Sequence, residues 1–105
     1  MLIARELSEP LGIAVLAYTW TLEHGGLVAW LDELYVVPAA RGRGVGRALL
    51  DTACSEASRR GCLAVELEVD RAHGRAEGLY ERAGFIPLPR ARWSRALRTS
   101  STDAM

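Results

Sequence analysis

Three glycines one residue apart, Gly42, Gly44 and Gly46, alternate with Arg41, Arg43, Val45 and Arg47 in a single short stretch. A strand-to-helix loop of that composition turns several backbone N–H groups toward one point, and the helix start adds the positive end of its dipole. A phosphate or pyrophosphate can then be held with no bulky side chain in the way. The implied ligand is an anion. Two familiar nucleotide motifs fail on spacing: a dinucleotide fingerprint counted from Gly42 needs glycine where Arg47 stands, and a P-loop needs a lysine, which this chain lacks. From the loop alone, a glycine-rich turn without a ligand stays open. So does an arginine-rich RNA-binding module.

The elements that must position this loop follow from periodicity and turn chemistry. Residues 2–6 form a short apolar strand, and Ser8, Glu9, Pro10 and Gly12 supply turn residues before a second strand over 13–22. His24-Gly25-Gly26 has hairpin chemistry, and the extended pattern resumes over 27–37 until Pro38. Val45, Ala48, Leu49, Ala53 and Ala57 recur at helical spacing, with a cationic last turn at Arg59 and Arg60 and Gly61 beyond it, which predicts a helix of about four turns. Residues 64–70 alternate, with Val65, Leu67 and Val69 on one face and Glu66 and Glu68 on the other, as a strand that pairs parallel after its helix. Ala76, Leu79, Tyr80 and Ala83 mark a second, shorter helix stopped by Gly84, and residues 85–88 and 92–97 complete the pattern as two final strands. The class is α/β, in the order β-β-β-α-β-α-β-β.

With 105 residues, half of them apolar, the chain holds one domain, placed at 1–98 and followed by a disordered tail over 99–105. Thirteen acidic residues balance thirteen arginines, which speaks against a general nucleic-acid partner. Twelve of those arginines lie from Arg41 onward while the acids Glu6, Glu9, Glu23, Asp32 and Glu33 come earlier, a distribution suited to one cationic and one anionic partner. No apolar run approaches a membrane span and no basic segment precedes a signal core, so the expected location is the cytoplasm, away from membranes. Cys54 and Cys62 lack metal-ligand spacing and are expected to be packing residues. His24 lies in a turn, where histidines are usually solvated.

Leu31-Asp32-Glu33-Leu34-Tyr35-Val36-Val37-Pro38 followed by Arg41-Gly42-Arg43-Gly44-Val45-Gly46-Arg47-Ala48-Leu49-Leu50 resembles the central acetyl-CoA motif of the GNAT superfamily of N-acetyltransferases. Downstream, Ala76-Glu77-Gly78-Leu79-Tyr80-Glu81-Arg82-Ala83-Gly84-Phe85 resembles the second motif of the same family, in the family's order and spacing. The resemblance covers most of residues 2–97, with some likeness to the polyamine-type members.

The resemblance implies a mixed, mainly antiparallel sheet splayed open between the strand ending at Val37 and the strand at 64–70. In that cleft the backbone of Val36 and Val37 would pair with the pantetheine arm of acetyl-CoA. Arg41, Gly42, Arg43, Gly44, Val45, Gly46 and Arg47 would cradle the pyrophosphate. Tyr80 matches the family's tyrosine that protonates the departing thiolate. Asp32 and Glu33 stand where polyamine-type members carry an acidic pair, Asp32 to relay a proton and Glu33 to hold a cationic acceptor, and both serve one site only if a bulge intervenes. The implied activity is direct transfer of acetyl from acetyl-CoA to a primary amine, without a metal; the alternative is an inactive CoA-binding sensor, scaffold or partner subunit. Relative to the family's usual order the first strand and helices are lacking, which implies an open acceptor side and favours a homodimer. His73 stands where the family often has a cofactor-contacting asparagine.

Overall fold

The computed structural model describes residues 2–6, 9–69 and 75–97. Strands β1 (Leu2–Glu6), β2 (Glu9–Thr21) and β3 (Gly26–Val36) form an antiparallel meander, α1 (Val45–Arg59) crosses back over it, and β4 (Ala64–Glu66) joins the β3 edge in parallel before α2 (Arg75–Arg82). The sheet order is β1-β2-β3-β4, so every neighbour in space is a neighbour in sequence.

Alternation, interrupted once in β3 between Leu31 and Glu33, puts Ala14, Leu16, Leu31 and Leu34 on the face that α1 covers. Ala14, Leu31, Leu49 and Leu50 form the buried cluster, with Val36, Leu67, Leu79, Tyr80 and Phe85 packed against it. Gly12 is strand, not turn: it pairs with Val36 inside β2. A Cβ there would stand 2.6 Å from the Tyr35 carbonyl and 3.0 Å from Leu49 Cδ1, so the absent side chain is what lets α1 settle on the sheet. Both helices end in the same way. Beyond α1, the Cys62 amide donates to Ala57 O and Gly61 N to Ser58 O; beyond α2, Phe85 N donates to Tyr80 O and Gly84 N to Glu81 O. Gly61 and Gly84 take φ of +84° and +92°, the left-handed residue this ending requires.

The two final strands expected over 85–88 and 92–97 are not formed; those residues make no ladder. Pro87 removes one of the N–H donors that a ladder over 85–88 needs. Side chains attach the segment instead, through Arg90 to Glu23 at 3.1 Å and Arg92 to Glu68 at 2.6 Å. Among the described residues, no helix is long and apolar enough to cross a membrane.

Candidate active site

The parallel ladder between β3 and β4 is short. It runs from Val28 opposite Ala64 to Trp30 opposite Glu66 and stops there, while β3 continues to Val36. Among the described residues the sheet is therefore open on that side past Trp30. Antiparallel strands point alternate backbone groups to alternate sides. The Val37 amide donates to Leu11 O at 2.8 Å, which assigns Val37, Tyr35 and Glu33 to the β2 side and turns Leu34 and Val36 toward the opening. Of the expected backbone pair Val36 and Val37, only Val36 faces the gap, because the sheet itself uses the Val37 N–H. Leu34, in phase with Val36, is the backbone position that sequence inspection missed; the two-residue period was the signal.

After Val36 come a 3-10 turn (Pro38–Ala40) and the glycine loop. Gly42 and Gly44 have φ of +79° and +80°, with nothing within 4 Å of a Cβ at either, so both are glycines for their backbone and for open space above it. Gly44 is the α1 N-cap and offers no side-chain cap. The bond that opens the helix runs from Ala48 N to Gly44 O, at 3.0 Å, which leaves the amides of Val45, Gly46 and Arg47 without partners in the helix, as at any helix start. Gly46 sits where a Cβ would lie 3.6 Å from both Val36 Cγ2 and Leu79 Cδ2, so the first turn of α1 stands between the end of β3 and α2.

The three arginines divide. Arg41 Nε donates to the Val36 carbonyl at 3.1 Å, and its guanidinium lies 5.7 Å from the Tyr35 ring centroid, so it sits at the mouth of the opening. Arg43 is exposed in the same turn. Arg47 bonds along its own helix to both Asp51 carboxylate oxygens, at 3.0 and 3.2 Å, a commitment that spacing of i and i+4 favours over the loop.

Asp32 and Glu33 do share a face. The register jumps from Leu31 opposite Leu16 to Glu33 opposite Val15, so Asp32 is the extra residue of a bulge and both carboxylates emerge exposed on the side away from α1. Tyr80 is on the α1 side, half-buried in the apolar cluster; burial raises its phenol above the ordinary tyrosine value. No hydrogen bond or ion pair joins Tyr80 to Asp32 or Glu33 among the described residues. His24, expected in solvent, is instead mostly covered and meets Glu66. His73 lies outside the described residues.

This geometry, a sheet opened beside a glycine loop and a free helix start, can be set against known proteins. The sequence matches the acetyltransferase (GNAT) family model over residues 1–85. This chain belongs to the GNAT family. It is similar to a mycothiol acetyltransferase of Beutenbergia cavernae, 41% identical over 75 residues that span 71% of this chain and 25% of that protein. It also resembles an aminoglycoside N(6')-acetyltransferase type 1 of Klebsiella aerogenes, 35% identical across 80% of this chain and 57% of that one. Among solved structures, an integron cassette protein from the mobile metagenome of Cole Harbour Salt Marsh superposes with a TM-score of 0.80 at 33% identity, over 92% of this chain and 59% of its own. This GNAT chain thus spans between a quarter and about three-fifths of the length of these three proteins.

Proposed function

We propose that this chain transfers the acetyl group of acetyl-CoA to a primary amine by direct attack. The observation that carries the proposal is the opening beside β3, into which Leu34 and Val36 turn their backbone groups while the Gly42–Gly44 loop and the bare start of α1 follow at its end. Such an arrangement suits a ligand with an amide-bearing arm and a diphosphate: the arm adds to β3 as a strand would, and the diphosphate meets the loop amides. The Arg41 guanidinium must then leave the Val36 carbonyl, and the diphosphate is the stronger partner for it.

The chemistry asks for three groups. The attacking amine must be neutral, and an unperturbed amine of pKa about 10.4 is neutral in only about one molecule in 2,500 at pH 7. Asp32 serves that step, accepting the amine proton through water, and Glu33 holds a second cationic group of the acceptor. The backbone amide of Val36 polarises the thioester carbonyl. When the tetrahedral adduct collapses the C–S bond breaks, and Tyr80 gives its phenolic proton to the leaving thiolate. Tyr80 keeps that proton at neutral pH, since its shift is upward. The aminoglycoside enzyme named above acts at a nitrogen by name; a polycationic amine is the acceptor class that two exposed neighbouring carboxylates favour here.

A second reading, a CoA-binding subunit without turnover, draws on the exposed apolar surface of the sheet, where Ile3 and Tyr35 are 38% and 44% exposed beside the acidic pair. A homodimer that covers this face would place a second copy beside the acidic pair. Isothermal calorimetry with acetyl-CoA tests both, and thiol release with a panel of mono- and polyamines separates them. Saturable binding with release on one amine class supports transfer; binding without release on any supports the second reading; no binding ends both.

A further inference from the structure

Away from the opening, three side chains have the make-up of a metal-ligand set. His24 stands in the turn between β2 and β3, and Glu66 reaches it from β4, with Nε2 and Oε2 3.4 Å apart and the two side chains 28% and 23% exposed. Glu23 adds a third donor, and one donor atom from each residue lies within 4.8 Å of the other two.

The β2–β3 turn and the parallel ladder fix the place of this group apart from the three side chains themselves. Gly25 N donates to Thr21 O at 2.9 Å and His24 N to Thr21 Oγ1 at 3.3 Å, which closes the turn. On the other side Leu63 N donates to Leu27 O at 2.8 Å, and the parallel ladder begins at once and ends on Glu66.

The 3.4 Å spacing is long for a charge-assisted hydrogen bond, whose donors and acceptors settle nearer 2.7–2.9 Å. It fits two ligands on one tetrahedral ion, because bonds of about 2.0–2.1 Å at the tetrahedral angle leave donor atoms about 3.3 Å apart. One imidazole with two carboxylates suits a borderline divalent ion. It suits calcium or magnesium poorly, which ask for six or more oxygens. Glu23 is exposed and pairs with Arg90, Nη2 to Oε2 at 3.1 Å, a solvent-screened contact that yields readily.

We propose that Glu23, His24 and Glu66 bind a zinc-class divalent cation, with a fourth position open to water, and that the ion staples the β2–β3 turn to β4. The proposal does not rest on acetyl transfer.

The test is calorimetry of the full 105-residue chain with zinc chloride, with cobalt(II) absorption as a reporter of tetrahedral coordination. One equivalent should bind and raise the thermal midpoint, where magnesium does not. Outer-shell partners alone are worth about 10–100-fold in affinity, so His24→Ala and the isosteric Glu66→Gln should each weaken binding by about tenfold or more. Arg90→Ala, which frees Glu23, should tighten it. The free thiols Cys54 and Cys62 are the rival ligands, and burial together with Asp51 raises the Cys54 thiol, which disfavours its thiolate. The double variant Cys54→Ser/Cys62→Ser should therefore keep the site. Absence of saturable zinc binding, an affinity unchanged in both His24→Ala and Glu66→Gln, or loss of binding in the cysteine variant overturns the proposal.

Discussion

Tyr80 and Phe85 meet twice at the end of α2. The Phe85 amide donates to the Tyr80 carbonyl at 3.0 Å, and their rings touch edge to face with centroids 5.9 Å apart. These are the polar and apolar halves of one helix ending, in which the second residue past the cap residue Ala83 both bonds to and packs on a residue of the last turn. The position of the Tyr80 ring is therefore set by how the helix stops. Gly84 closes the motif at φ +92°, where an L side chain is strained. Gly84→Ala should cost about 1–2 kcal/mol, read as a lower urea midpoint with unchanged slope.

Tyr80→Phe keeps the ring and removes the proton donor. If Tyr80 is the acid that protonates the thiolate, turnover should fall by about 10²–10⁴-fold while the calorimetric affinity for acetyl-CoA holds. The pH dependence of stability gives a second readout. Burial raises the folded-state pKa of Tyr80 above the unfolded value, so both states carry the proton below the unfolded pKa and stability is lost as pH rises through the folded one. Tyr80→Phe should lessen the fall in urea midpoint between pH 9 and the alkaline end, a range lying around the ordinary tyrosine pKa of about 10.

The meander, the four-turn helix and its Gly61 ending were legible because period, turn residues and caps agree there. The bulge at Asp32 was not, since nothing in Leu31-Asp32-Glu33-Leu34 marks which residue the partner strand skips; only the register against Val15 and Leu16 shows it. Gly12 misleads for a related reason: glycine is turn chemistry locally, while its actual role depends on Leu49, which lies on a different element far along the chain. Residues 85–88 carried strand-like apolar residues, but Pro87 takes an N–H donor from their ladder, and nothing in the described residues explains why 92–97 forms none. At the candidate site, the loop glycines were plain from type alone, whereas the division between Val36 and Val37, and the turn of Arg47 toward Asp51, depend on which partner each group meets first.

Gly44 is both left-handed and the cap of α1, with open space around it. In Gly44→Ala the added methyl touches nothing, so the change acts through the backbone: about 1–2 kcal/mol of strain, or a shift of φ that rotates the loop amides. Strain borne without movement lowers the urea midpoint, whereas a shift of φ leaves the midpoint in place and should lower the affinity for acetyl-CoA. An unchanged midpoint together with an unchanged calorimetric affinity would remove the loop from the binding site.

Gly12→Ala separates packing from binding. The new Cβ meets the Tyr35 carbonyl at 2.6 Å, a backbone atom that cannot swing aside, and Leu49 Cδ1 at 3.0 Å, so α1 must lift or β3 must shift. Overpacking of this kind costs about 1–3 kcal/mol, and the variant should unfold at lower urea than Gly44→Ala relative to its loss of ligand affinity.

The bulge makes a prediction about the acceptor that sequence adjacency does not. On an even strand, Asp32 and Glu33 would face opposite ways and a cationic acceptor would meet one of them; with the skipped residue it meets both. Each exposed carboxylate contributes about 0.2–1 kcal/mol to a cation beside it, so Asp32→Asn and Glu33→Gln should each raise KM for a diamine by about 1.4–5-fold and leave KM for a monoamine less changed. Both effects should shrink as salt is added, because the face is open to solvent. The two residues part on kcat: loss of a proton relay in Asp32→Asn lowers kcat and moves the optimum to higher pH, where the free amine is already neutral, while Glu33→Gln leaves kcat in place. A KM unchanged for both mono- and diamines in both variants would mean that the acceptor approaches the gap from the α1 side and never meets the acidic pair.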